Sequence, residues 1–104
     1  MFADFYRHSS EFDLLAMIEA NALNRTRWDA LLFFGKNPSA HTRVDAIAQM
    51  CGQNERAVEH ELDDLMDLGI LRANQSGKQK MYALAVEPAV RNAVICFARR
   101  SAFD

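Results

Sequence analysis

Glycine and proline are scarce in this chain, four and two of 104 residues, and so are cysteine and tryptophan, at two and one. So few turn formers exclude a collagen-like or low-complexity chain. Cys51 and Cys96 lie far apart and outside any CxxC spacing, which argues against a disulfide framework or a thiolate metal site and for reduced, buried small hydrophobes. No apolar run approaches the roughly 20 residues that span a bilayer. The opening Met1-Phe2-Ala3-Asp4-Phe5-Tyr6-Arg7 has no basic lead into an apolar stretch, so no secretory signal and a cytoplasmic location are expected. Charge of one sign is also missing: the formal net charge is −2, so any nucleic-acid contact must come from a local patch. What is present is 50% hydrophobic and 25% charged residues, the balance of one globular domain over 1–104. A core of this size is modest and commonly gains stability by dimerising.

The few glycines act as punctuation. Ser9 and Ser10, followed by Glu11 and Asp13, suit the start of a helix over about 10–22. Thr26 is a candidate cap for a second helix with Trp28, Leu31, Leu32 and Phe34 on its apolar face, ending near Gly35 and Asn37-Pro38. Thr42 with Asp45 is a capping-box variant before Val44, Ile47, Ala48 and Cys51, and Gly52 ends that helix. Asn54 can cap the next helix, about 54–68, whose Val58, Leu62 and Leu65 fall on one face. After Gly69, Ile70–Ala73 and Met81–Val86 flank the polar stretch 74–79, which predicts a hairpin and no other strands. Pro88 suits the first turn of a last helix over about 88–102, carrying Val90, Val94, Ile95 and Phe97. The predicted class is mainly α with one small β-hairpin.

Catalytic and metal signatures are incomplete. His60-Glu61 opens like a zinc-protease motif, but Leu62-Asp63-Asp64 follows and the second histidine is missing. Asp63 and Asp64 are adjacent, so on a helix they point about 100° apart and read as a solvated face. His8 and His41 read as solvent-facing or capping groups. Gly77-Lys78 lacks the rest of a phosphate loop. Neither an enzyme nor a cofactor is expected.

The order Ile47-Ala48, Gly52, Asn54, Val58, Leu65, Gly69-Ile70 and Tyr82-Ala83-Leu84 resembles the winged helix-turn-helix transcriptional regulators, of the broad group that includes the MarR type. The resemblance covers about 26–86, a three-helix core with a wing, and leaves 10–22 and 88–102 as flanking helices. It implies sequence-specific binding of double-stranded DNA, with helix 54–68 in the major groove and the wing, 72–80, on phosphates. By position, Gln53, Asn54, Glu55, Arg56, Glu59 and His60 would face bases, and Arg72, Lys78 and Lys80 would grip phosphates. Arg56 suits guanine, and Gln53 or Asn54 suits adenine if not spent as a cap. Against this stand Glu55, Glu59, Glu61, Asp63, Asp64 and Asp67 beside Arg56 alone on the helix. An alternative is therefore a winged helix that contacts protein instead of DNA. The apolar flanking helices are expected to pack together across a twofold axis, giving a homodimer. A small-molecule effector is unspecified, its usual place being between those helices and the core.

Overall fold

The computed structural model describes residues 11–101. Eight elements follow in order: α1 (Glu11–Asn21), α2 (Arg25–Lys36), β1 (His41–Arg43), α3 (Val44–Cys51), α4 (Glu55–Asp67), β2 (Leu71–Ser76), β3 (Gln79–Leu84) and α5 (Pro88–Ser101). This is a winged helix-turn-helix. The expected Ser9–Ser10 cap, His8 and the aromatics Phe2, Phe5, Tyr6 and Phe103 lie outside the described residues.

Helix α4 forms where its apolar ladder required it. Val58, Leu62 and Leu65 are fully buried, and the Asn54 side chain accepts from the Ala57 amide at 2.8 Å, closing the first turn. The turn between α3 and α4 depends on Gly52, whose φ of 70° is left-handed and lets the Gln53 amide reach back to the Ala48 carbonyl at 3.1 Å. Ile47 and Ala48 bury the inner face of α3.

Other caps differ from expectation. Asn24, not Thr26, caps α2 by accepting from the Arg27 amide at 2.9 Å, and Thr26 is buried within the helix. Thr42 does not cap α3 either. It stands in β1 opposite Tyr82, while Arg43 takes the cap position without a side-chain capping bond. The hairpin is thus not the only source of strands: β1 adds to it, making an antiparallel sheet of order β1-β3-β2. The hairpin arms also run further than expected, with Ser76 opposite Gln79 around Gly77-Lys78.

The flanking helices do pack together, within one chain. Leu14, Leu15 and Ile18 of α1 and Val90, Val94 and Phe97 of α5 are buried, and α5 also lies along α2. There Gly35 is needed for closeness: a Cβ would sit 2.5 Å from the Ala98 Cβ and 2.6 Å from the Val94 carbonyl oxygen. Trp28 meets Phe97 edge-on with ring centroids 5.0 Å apart, yet keeps one side on the surface. Neither cysteine is fully buried as expected: Cys51 is half-buried and Cys96 exposed. No described helix is long and apolar enough to cross a membrane.

Candidate nucleic-acid interface

The acidity of α4 is unevenly spent. In its C-terminal half, three carboxylates turn to cations supplied by other elements. Arg27 of α2 donates from Nη2 to Asp64 Oδ2 at 2.8 Å and from Nε to Glu61 Oε1 at 3.3 Å, and Asn24 donates to the second Glu61 oxygen. Asp63 accepts at a single oxygen, Oδ1, from Lys80 Nζ at 2.9 Å and from the Tyr82 hydroxyl at 2.7 Å. Lys80 and Tyr82 alternate along β3, so they share the sheet face that looks onto α4. The lysine ammonium also stands 5.1 Å from the Tyr82 ring centroid.

Burial works to raise the Asp63 carboxyl, but hydrogen bonds from Tyr82 and Lys80 outweigh it and hold the group below the ordinary carboxylate value. The bond to Asp63, reinforced by Tyr82, pushes the Lys80 ammonium up to about 12. Burial first, and the Asp63 bond second, take the Tyr82 phenol up to about 12. Carboxylate, ammonium and neutral phenol are therefore the forms present across the neutral range. Reading Asp63 and Asp64 as a merely solvated face is corrected: they tie α4 to the wing and to α2.

The N-terminal half is different. Gln53, Glu55, Arg56 and Glu59 are exposed and have no side-chain partner among the described residues, and His60 has only Asp64, 3.6 Å away. Asn54 is also exposed, but its Oδ1 is used for the cap, leaving only the amide NH2 for a ligand. Beside this half lies a cleft of about 320 Å³ lined by Arg43, Val44 and Asp45 at the start of α3, Glu59 of α4, and Lys78, Gln79, Lys80 and Tyr82 of the wing. The structure thus brings Glu59, Lys78 and Lys80 to one cleft. Arg72 is not part of that lining: it is half-buried on β2, and its Nε donates to the Leu84 carbonyl at 3.0 Å. Arg43 was not anticipated. Its Nη2 bonds Asp45 at 3.1 Å, and its position just ahead of α3 was the available signal.

His60, Glu61 and Asp64 place one ligand atom each within 4.8 Å of one another. The Arg27 guanidinium is already bonded to two of them, so positive charge is supplied there by the protein. A larger groove, about 500 Å³, opens at the α1–α2 corner around Leu23, Trp28 and Leu32.

No protein-family model matches the sequence, and no curated protein matches it. Solved structures do match in fold. The homodimeric winged helix-turn-helix DNA-binding domain Mb0332 from Mycobacterium bovis, described as a possible ArsR-family transcriptional regulator, aligns with a TM-score of 0.65 at 22% identity over 88% of this chain and 82% of that one. HlyU from Vibrio cholerae aligns at 0.70 and 14% identity over 90% and 99% of the two chains. The transcriptional repressor BigR from Xylella fastidiosa aligns at 0.60 and 17% identity over 89% of each. At these identities the likeness establishes the winged helix-turn-helix fold that the α3–α4 turn and the β2–β3 wing already display.

Proposed function

We propose that the protein binds double-stranded DNA as a transcriptional regulator in the cytoplasm, with the N-terminal half of α4 in the major groove and the wing on the backbone. One observation carries this reading: Arg43, Lys78 and Lys80 meet, and outnumber Asp45 and Glu59, in a cleft beside the outward face of α4. Cations there, with the α3 N-terminus, suit a backbone phosphate. Arg56 and Gln53 then reach base edges, and Glu59 can accept from cytosine. Arg72 serves the base of the wing through its Leu84 bond and reaches DNA only at its margin. The description of two fold neighbours as DNA-binding or repressor proteins supports the same reading. The MarR-type resemblance is kept only as far as this shared frame.

A homodimer through α1 and α5 belongs to the same proposal. Exposed Ala16 and Ala20 leave a small-residue strip on the outer side of α1, between Asp13 and Glu19, where a second copy packs. The Mycobacterium bovis neighbour is homodimeric. A monomeric mass by light scattering at tens of micromolar would contradict it.

The test of DNA binding is a fluorescence-anisotropy titration of duplexes across a salt series. Binding is expected to weaken with salt, and Lys78→Ala to reduce the log–log slope by about one while weakening all sequences alike. Arg56→Ala should instead relax sequence preference. Absence of salt-dependent binding to any duplex would sink the reading and favour a winged helix that contacts protein through Glu55 and Glu59.

A further inference from the structure

We propose that Asp63 is an internal stand-in for a DNA phosphate: it holds Lys80 at the cleft in the free protein, and a bound duplex takes the lysine over. The inference rests on the DNA-binding reading and adds to it a positioning residue and an exchange of partners. Lys80 lines the cleft, yet its ammonium is committed to Asp63 Oδ1 at 2.9 Å. Asp63 lies one helical turn beyond Glu59, which lines the cleft too, so the acid sits at the rim of the space a phosphate would enter.

The exchange is physically inexpensive on both sides. The lysine and aspartate side chains are 35% and 39% exposed, so water screens their attraction and the pair contributes little. A duplex phosphate offers the lysine an equal charge and adds the release of condensed counterions. Asp63 is not stranded when the lysine leaves. The hydroxyl of fully buried Tyr82 still donates to it at 2.7 Å, on the very oxygen that Lys80 uses. Tyr82 therefore keeps the carboxylate and the wing in place while the lysine swings between two anions.

The experiment is a double-mutant cycle on the full chain, read by anisotropy with a random 20-base-pair duplex at low salt, using wild type, Asp63→Asn, Lys80→Met and the double variant. Asparagine keeps an acceptor for Tyr82, and unchanged amide spectra will confirm an intact wing. Asp63→Asn is expected to tighten binding about three- to tenfold, and in the Lys80→Met background that gain should fall below about twofold. Equal gains in both backgrounds would mean the acid merely repels DNA, and weaker binding by Asp63→Asn would mean that the ion pair persists in the complex; either overturns the proposal. A second reading uses the unmodified protein: the Lys80 ammonium resonance should move when duplex is added, and an unmoved resonance overturns it as well. If wild type itself shows no salt-dependent binding, the DNA-binding reading fails first and this inference with it.

Discussion

The two halves of α4 carry the same kind of residue and use it in opposite ways. Glu61, Asp63 and Asp64, toward the C-terminus, each bond a group from another element and so convert negative charge into tertiary structure. Glu55 and Glu59, toward the N-terminus, face solvent with no partner among the described residues. Asp67, in the last turn, is exposed and without a partner among the described residues as well. A helix that looks hostile to DNA in sum thus carries unpaired acid only at Glu55, Glu59 and Asp67, and only the first two stand on its N-terminal half. The lesson is that net charge along an element says less than where each charge is satisfied.

The largest effect is expected from removing the cation that serves the C-terminal half. Arg27 is 12% exposed and Glu61 15%, so Arg27→Met would leave a largely buried carboxylate without its ion pair. A loss of about 2–3 kcal/mol in urea unfolding is expected, at the low end for broken buried pairs because Asp64 is partly solvated. A change within error would show that this half is not held by its charges.

Alkali probes the other link. The folded pKa values of Lys80 and Tyr82, both about 12, lie above their ordinary 10.5 and 10.0. Groups raised in this way contribute stability that is fully present below the ordinary values and is lost as pH rises through the folded ones. The urea midpoint should therefore hold steady from pH 8 to about 10 and fall toward 12, chiefly through buried Tyr82, since the screened Lys80 pair contributes little. Asp63, lowered from 3.8, contributes in the opposite sense, its share being present above that value and lost as pH falls below it. A midpoint flat through pH 12 would contradict the Asp63–Lys80–Tyr82 link.

The smallest expected effect lies on the outward half. Glu59→Gln removes an unpaired carboxylate from the cleft, and duplex affinity should rise about two- to fivefold with stability unchanged within about 0.5 kcal/mol. Sequences with cytosine at the contacted position should gain least, since there the carboxylate accepts a bond. A loss of affinity on every sequence would overturn the assignment of Glu59 to a repulsive position.

Much of this frame was legible from local signals. Val58, Leu62 and Leu65 declared α4, Asn54 its cap, and Gly52 and Gly69 its limits, because ladder and cap are short-range properties of the chain. Strand β1 was not legible. His41-Thr42-Arg43 has no apolar alternation, and it is a strand only because β3 offers a free edge. Asn24 is the better cap by type, and the packing that buries Thr26 inside the helix agrees with it. The pairing of Glu61, Asp63 and Asp64 could not be read at all, since Arg27, Lys80 and Tyr82 lie 17 to 37 residues away in the chain. The bond of the Arg72 Nε to the Leu84 carbonyl was equally hidden, being made across the hairpin by residues 12 apart in the chain.

The central claim is that DNA meets the N-terminal half of α4 and the wing while the C-terminal half stays occupied within the protein. Amide chemical shifts of the labelled protein during titration with a short duplex at low salt test it directly. The largest shifts are expected at residues 53–60 and 77–80, with residues 64–68 nearly unmoved. Shifts centred instead on 64–68, or on the α1–α2 groove around Leu23 and Trp28, would contradict it.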